Sequence, residues 1–140
     1  MVRLNDLMAT AETAFAFLTT EGFTLTERRP AQTDSFRDGW WLRYESPGVE
    51  VRVEYSDMQF DVTFARDDVA ATYLFVDREI FGQASGLHGD MFPVDKLEPV
   101  IHRVAAEIRA HYVPLLRGDA PFWDRVARLR QTPPKPRHLP

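Results

Sequence analysis

Seven consecutive residues, Val49-Glu50-Val51-Arg52-Val53-Glu54-Tyr55, alternate apolar and charged without a break. Only an extended chain sends every second side chain to one face, so this run reads as a half-buried strand with Val49, Val51, Val53 and Tyr55 inward. The same parity recurs on either side. Upstream, Trp40, Leu42 and Tyr44 alternate with Trp41, Arg43 and Glu45; downstream, Phe60, Val62 and Phe64 form the inward set around Asp61. Ser46-Pro47-Gly48 supplies Pro at i+1 and Gly at i+2 of a type II turn, and Ser56-Asp57 is a short connection suited to a hairpin. Residues 23–28 read as a further strand. Residues 30–39 read either as another hairpin, closed by Asp38-Gly39 against 35–37, or as a loop.

Outside this region the period changes. Leu4, Leu7, Met8, Ala11, Phe15 and Leu18 make one stripe at the helical repeat, with Phe17 at its edge. Gly22 suits the left-handed position after the last turn, with Phe23 folding back on Leu18. A second stripe runs through Leu97, Val100, Ile101, Val104, Ala105, Ile108, Tyr112 and Leu115. Asp95 and Glu98 have capping-box spacing, Pro99 falls near the first turn, and Pro114 should kink the end. Gly118 then ends the helix and Asp119 caps a third one over 121–130. Residues 69–92 are less regular: 73–76 suits a strand, Asp77 a cap for a short helix to Phe81, and 82–92 a loop. The expected fold is α+β: an antiparallel meander of four to five strands, with N-terminal and C-terminal helices on one face. Residues 1–131 would form one domain, and the Pro-rich, basic residues 132–140 a disordered tail.

Charge narrows the function classes. Residues 1–116 hold eleven Lys/Arg against nineteen Asp/Glu, and 117–140 hold six against two. An acidic body argues against duplex nucleic acid as a ligand. The absence of cysteine excludes a disulfide framework, a thiolate metal site and a cysteine nucleophile. Asp6 and Glu12 interrupt the first apolar stripe, unlike a secretory segment, and no apolar run reaches the roughly 20 residues of a membrane helix. A cytoplasmic protein without membrane contact is expected.

Catalytic signatures are missing. Ser35, Ser46, Ser56 and Ser85 sit in no nucleophile elbow, and the glycines build neither dinucleotide nor phosphate loop. His102 and His111 are nine apart on one helix, about 180° around it, and cannot converge on a metal. His88-Gly89-Asp90 is the one suggestive polar group, in the 82–92 loop. Arg117-Gly118-Asp119 spells an adhesion tripeptide, but each residue has a structural use at a helix boundary. No enzyme, cofactor or metal is expected.

The remaining signal is the outward parity of the sheet. Trp41, Arg43, Glu45, Glu50, Arg52, Glu54 and Asp61 should share the face away from the helices. Alternating charge there reads as cross-strand ion pairs and solubility, or as a recognition surface with Trp41 as apolar anchor.

The order of features resembles small, mostly uncharacterised bacterial α+β proteins, some of them like immunity proteins encoded near secreted toxins. That likeness rests on Glu21-Gly22-Phe23, on Tyr44-Glu45-Ser46 leading into the Val49–Tyr55 alternation, and on Leu115-Leu116-Arg117-Gly118-Asp119. It implies no catalytic residue. The leading reading is an immunity-like binding protein: the acidic body suits a basic protein partner, and the seven outward residues are the expected contacts. Two other classes stay open: a small-molecule binder or enzyme with a pocket near 82–92 around His88 or Asp90, and a structural subunit that self-associates.

Overall fold

The computed structural model describes residues 3–33, 35, 38–82 and 91–131. Five strands, β1 (Thr24–Arg29), β2 (Gly39–Glu45), β3 (Glu50–Ser56), β4 (Gln59–Arg66) and β5 (Val69–Thr72), form one antiparallel meander in chain order. The α+β class, the meander and the helices at both ends agree with the sequence expectation. Trp40 lies opposite Tyr55, Leu42 opposite Val53, and Val53 in turn opposite Val62. All five are buried, so one face of the central strands is a continuous apolar surface.

Some local expectations fail for identifiable reasons. The fifth strand is Val69–Thr72, four residues too short to display a period, and the chain turns helical at Tyr73, where a strand was expected. Helix α3 (Tyr73–Phe75) is capped by Thr72, whose hydroxyl accepts the Phe75 N–H at 3.2 Å. Asp77 is therefore no cap; it lies inside the π-helical turn Val76–Ile80 that continues α3. The β2–β3 turn is not type II, because Gly48 does not take the positive φ that type requires at i+2. The β3–β4 loop is Asp57-Met58, one residue later than the expected pair. Among the described residues of 30–39, no strand precedes β2.

The first helical stripe divides into α1 (Leu4–Ala14) and α2 (Phe17–Thr20). Gly22, at φ 93°, closes α2 as anticipated: its N–H bonds to Thr19 O at 3.2 Å, and that of Phe23 to Leu18 O at 3.0 Å. The second stripe also divides, into α4 (Leu97–His111) and α5 (Val113–Leu116). The break at Tyr112 puts Pro114 in the first turn of a new helix, where its missing N–H costs little. Asp95 makes no capping box. It falls in a 3₁₀ turn, Val94–Lys96, ahead of α4, so the helix begins too late for its carboxylate to serve. Gly118, at φ 71°, repeats the Gly22 arrangement, and the Asp119 carboxylate accepts the Phe122 N–H at 3.2 Å to start α6 (Ala120–Gln131).

These helices bring Leu4, Leu7, Met8, Phe15, Ile101, Ile108, Leu115, Trp123 and Val126 into one core with the inner face of the sheet. α1 packs on β2 and α4, and α6 on β5 and the π-turn. At the α6 end, Tyr112 collects Phe64, Tyr73 and Phe81 around its ring at 5.0–5.7 Å between centroids.

Candidate functional site

The outer face of the sheet follows from the register. Pairing sets Trp41 opposite Glu54, Arg43 opposite Arg52, Glu45 opposite Glu50 and Glu54 opposite Asp61. All seven residues expected on this face therefore stand together on it, on β2, β3 and β4. Their helix-side neighbours are buried, Phe60 only partly, whereas the side chains of Arg43, Glu50, Arg52 and Glu54 keep 34–40% exposure.

Two further residues belong to the face, Glu27 and Arg29 of β1. Glu27 accepts the Trp41 indole N–H at 2.5 Å and the Arg43 guanidinium at 2.9 Å. The Arg29 guanidinium lies over the Trp41 ring at 4.3 Å, and that of Arg52 at 4.6 Å. Trp41 is thus not a bare apolar anchor. Its N–H is engaged, and two guanidinium groups lie over its ring, each such contact contributing about 0.5–1 kcal/mol at an exposed site.

Parity alone missed Glu27 because β1 carries a bulge. Leu25 pairs with Tyr44 and Glu27 with Arg43, so Thr26 is the extra residue. An unbroken alternation would put Glu27 on the same side as Leu25; the bulge moves it across. Nothing in the residue types of Thr24–Arg29 marks that bulge.

One ion pair lies directly across strands, Glu27 with Arg43 at 2.9 Å; the others run diagonally or along a strand. Arg43 reaches Glu50 at 3.3 Å, and Arg52 reaches Glu54 at 3.6 Å on its own strand. Directly across β2–β3 and β3–β4, by contrast, charges of one sign oppose each other: Arg43 with Arg52, Glu45 with Glu50, Glu54 with Asp61. Such pairs are destabilising, the reverse of the cross-strand pairing expected of a face built for solubility alone. Burial raises the Asp61 carboxyl to about 6, opposed by the Val62 N–H bond and with a smaller contribution from Glu54.

Elsewhere the chemistry is sparse. Among the described residues no group of three His, Asp or Glu is placed to hold a metal. His102 is exposed and sits 3.9 Å from Glu98. His88 and Asp90, expected to line a pocket near 82–92, lie outside the described residues. Away from that face, four buried polar atoms among the described residues stand without hydrogen-bond partners: Trp40 Nε1, the Tyr44 hydroxyl, Asp77 Oδ2 and the Tyr112 hydroxyl. No helix among the described residues is long and apolar enough to cross a membrane. No family model matches the chain, and neither a curated protein nor a solved structure is similar to it.

Proposed function

We propose that the chain is a non-enzymatic binding protein, immunity-like in role, whose outer sheet face receives a basic protein partner. The observation that carries this reading is the pair of like-charged crossings, Glu45 with Glu50 and Glu54 with Asp61, on an open face. A Lys or Arg from a partner, set between either pair, converts a cost already present in the free protein into an attraction on binding. The face as a whole carries Glu27, Glu45, Glu50, Glu54 and Asp61 against Arg29, Arg43 and Arg52, so two negative charges are in excess. The rest of the acidic body adds a field of the same sign, which steers basic partners toward it. Trp41, held by Glu27 and stacked with Arg29 and Arg52, gives the centre of this surface a fixed shape.

An NMR titration with an oligo-arginine peptide at low ionic strength tests the reading. Shifts should concentrate on outward residues of β2, β3 and β4. A Glu54→Gln/Asp61→Asn variant should bind about tenfold more weakly, equivalent to roughly 1.4 kcal/mol. Shifts spread evenly over the acidic surface, or unchanged binding by the variant, would remove this face from the proposal.

A further inference from the structure

The cations of the outer face are unevenly placed. Arg29 and Arg52 lie over Trp41 of β2 at 4.3 and 4.6 Å, and Arg43, itself on β2, stands between Glu27 and Glu50 at 2.9 and 3.3 Å. Asp61 on β4 makes no ion pair among the described residues. Across β3 it meets Glu54, which already holds Arg52 at 3.6 Å. Gln59 and Thr63 flank it along β4 on the same face. Past the end of β5, Tyr73 and Leu74 of α3 share a concavity with it, together with Phe92, Val100 and Val104. Of these five Tyr73 alone is titratable, and its hydroxyl donates to Glu107. Asp61 is thus half-buried between an acid and an apolar wall. Its Oδ1 accepts the Val62 N–H at 2.8 Å, whereas Oδ2 accepts no hydrogen bond and keeps contact with solvent. Such surroundings favour the neutral acid, in keeping with a carboxyl raised to about 6.

We propose that Asp61 receives a single Lys or Arg side chain of the basic partner, and that it gives up a proton to do so, with the result that mild acid expels the partner. The inference rests on the basic-partner reading and adds its regulation. In the free protein the neutral acid relieves the Glu54 crossing. A guanidinium or ammonium group set on Oδ2 makes the carboxylate the favoured form, and the proton passes to solvent as the ion pair forms. Among the acids of the face, Asp61 combines part burial with the lack of an arginine: Glu27, Glu50 and Glu54 each have one, and Glu45 is exposed. The sign of the pH effect follows. Affinity is full above the range in which free Asp61 titrates and falls as pH drops through it, because protons then compete with the partner for one carboxylate.

Isothermal titration of the full chain with the oligo-arginine peptide, at pH 7.5 and pH 5.0 and constant ionic strength, tests this. Each pH is run in two buffers of different ionisation enthalpy, so that the heat reports the protons exchanged. Arginine stays protonated throughout, and any proton released comes from the protein. Most of one proton should leave per peptide bound at pH 5.0 and almost none at pH 7.5, and affinity at pH 5.0 should be about tenfold weaker. In Asp61→Asn the affinity, whatever its absolute value, should be the same at both pH values, and the proton release should vanish. Equal affinity at both pH values with no proton released by the parent would overturn the inference and leave the basic-partner surface standing. So would proton release that persists in Asp61→Asn. Failure of the peptide to bind at either pH would remove both.

Discussion

Tyr73 and Tyr112 stack with their centroids 5.7 Å apart, yet their hydroxyls differ in circumstance. Tyr73 donates to the Glu107 carboxylate, while the Tyr112 hydroxyl is buried without a partner. Burial pushes the Tyr112 hydroxyl well above the usual phenol range, with Asp77 and Glu107 adding to the shift. A buried polar group left unpaired costs about 1–3 kcal/mol, whereas a hydrogen bond to a charged acceptor contributes about 1.5–3 kcal/mol. Tyr112→Phe should therefore raise the unfolding free energy by about 1 kcal/mol, and Tyr73→Phe lower it by about 2 kcal/mol, in urea titrations. Equal effects would mean that the two hydroxyls share one environment. Asp61 gives a second test with a definite sign. Its carboxyl rises from 3.8 to about 6 on folding, so the native state holds its proton more tightly than the unfolded chain does. Ionising it costs stability: the penalty is absent below about pH 4, grows as pH rises toward 6, and is fully present above that. The side chain is only part-buried, so screening reduces this to on the order of 1 kcal/mol. Asp61→Asn, which keeps an oxygen for the Val62 N–H, should be about 1 kcal/mol more stable than the parent at pH 7.5 and no more stable at pH 4. A gain that does not vary with pH would sink the account of Asp61 as a carboxyl whose ionisation is opposed chiefly by burial.

At the scale of elements, the β3–β4 hairpin carries visible strain. Asp57 and Met58 form its two-residue loop with φ of 50° and 63°, the left-handed region that the matching turn demands. Asp tolerates that region; Met has no local compensation and pays about 1–2 kcal/mol. The position is held from outside, where Phe92 N–H donates to Met58 O at 2.6 Å and the Tyr55 hydroxyl to Phe92 O at 2.5 Å. Met58 lies outside the core cluster, so its side chain can be lost cheaply. Met58→Gly should stabilise the protein by about 1 kcal/mol and raise its Tm by a few degrees in calorimetry. A lower Tm would show that the Met58 side chain matters more than its backbone. Such turns show why legibility was uneven. Strands β2, β3 and β4 could be read because their two faces differ sharply in chemistry, so parity alone oriented Trp40 to Phe64. Gly22, Gly118 and Asp119 marked helix ends because each supplies a backbone conformation or an acceptor that few residues offer. β5 could not be read, since four residues with two alanines show no period. Nor could Glu27, whose face depends on a bulge set by pairing with β2.

For the whole molecule, the charged sheet face and its edges decide what kinds of assembly are open. The free edge at β1 is interrupted by the Leu25/Glu27 bulge and carries Glu27, Arg28 and Arg29, and β5 at the other edge is four residues long and packed by α6. Both devices discourage strand addition by a second chain. A two-fold sheet-to-sheet dimer fares no better. Such an interface sets a patch against its own copy, so Glu54 and Asp61, near the middle of the face, would meet Glu54 and Asp61 of the partner. Carboxylates already opposed within one sheet would then face a second set, and the face's excess of negative charge would double. A basic partner meets the reverse situation, which is why the same surface favours heterologous binding over self-association. The protein should accordingly sediment as a monomer at neutral pH and low salt, up to about 100 μM, a concentration at which standard-sized specific interfaces are saturated. Lowering the pH through 6 protonates Asp61 and removes part of the repulsion. If a dimer forms at all, it should therefore appear on the acid side and be suppressed in Glu54→Lys only where the outer faces meet. A stable dimer at pH 7.5, insensitive to Glu54 and Asp61 substitutions, would instead make this chain a structural subunit and place its interface elsewhere.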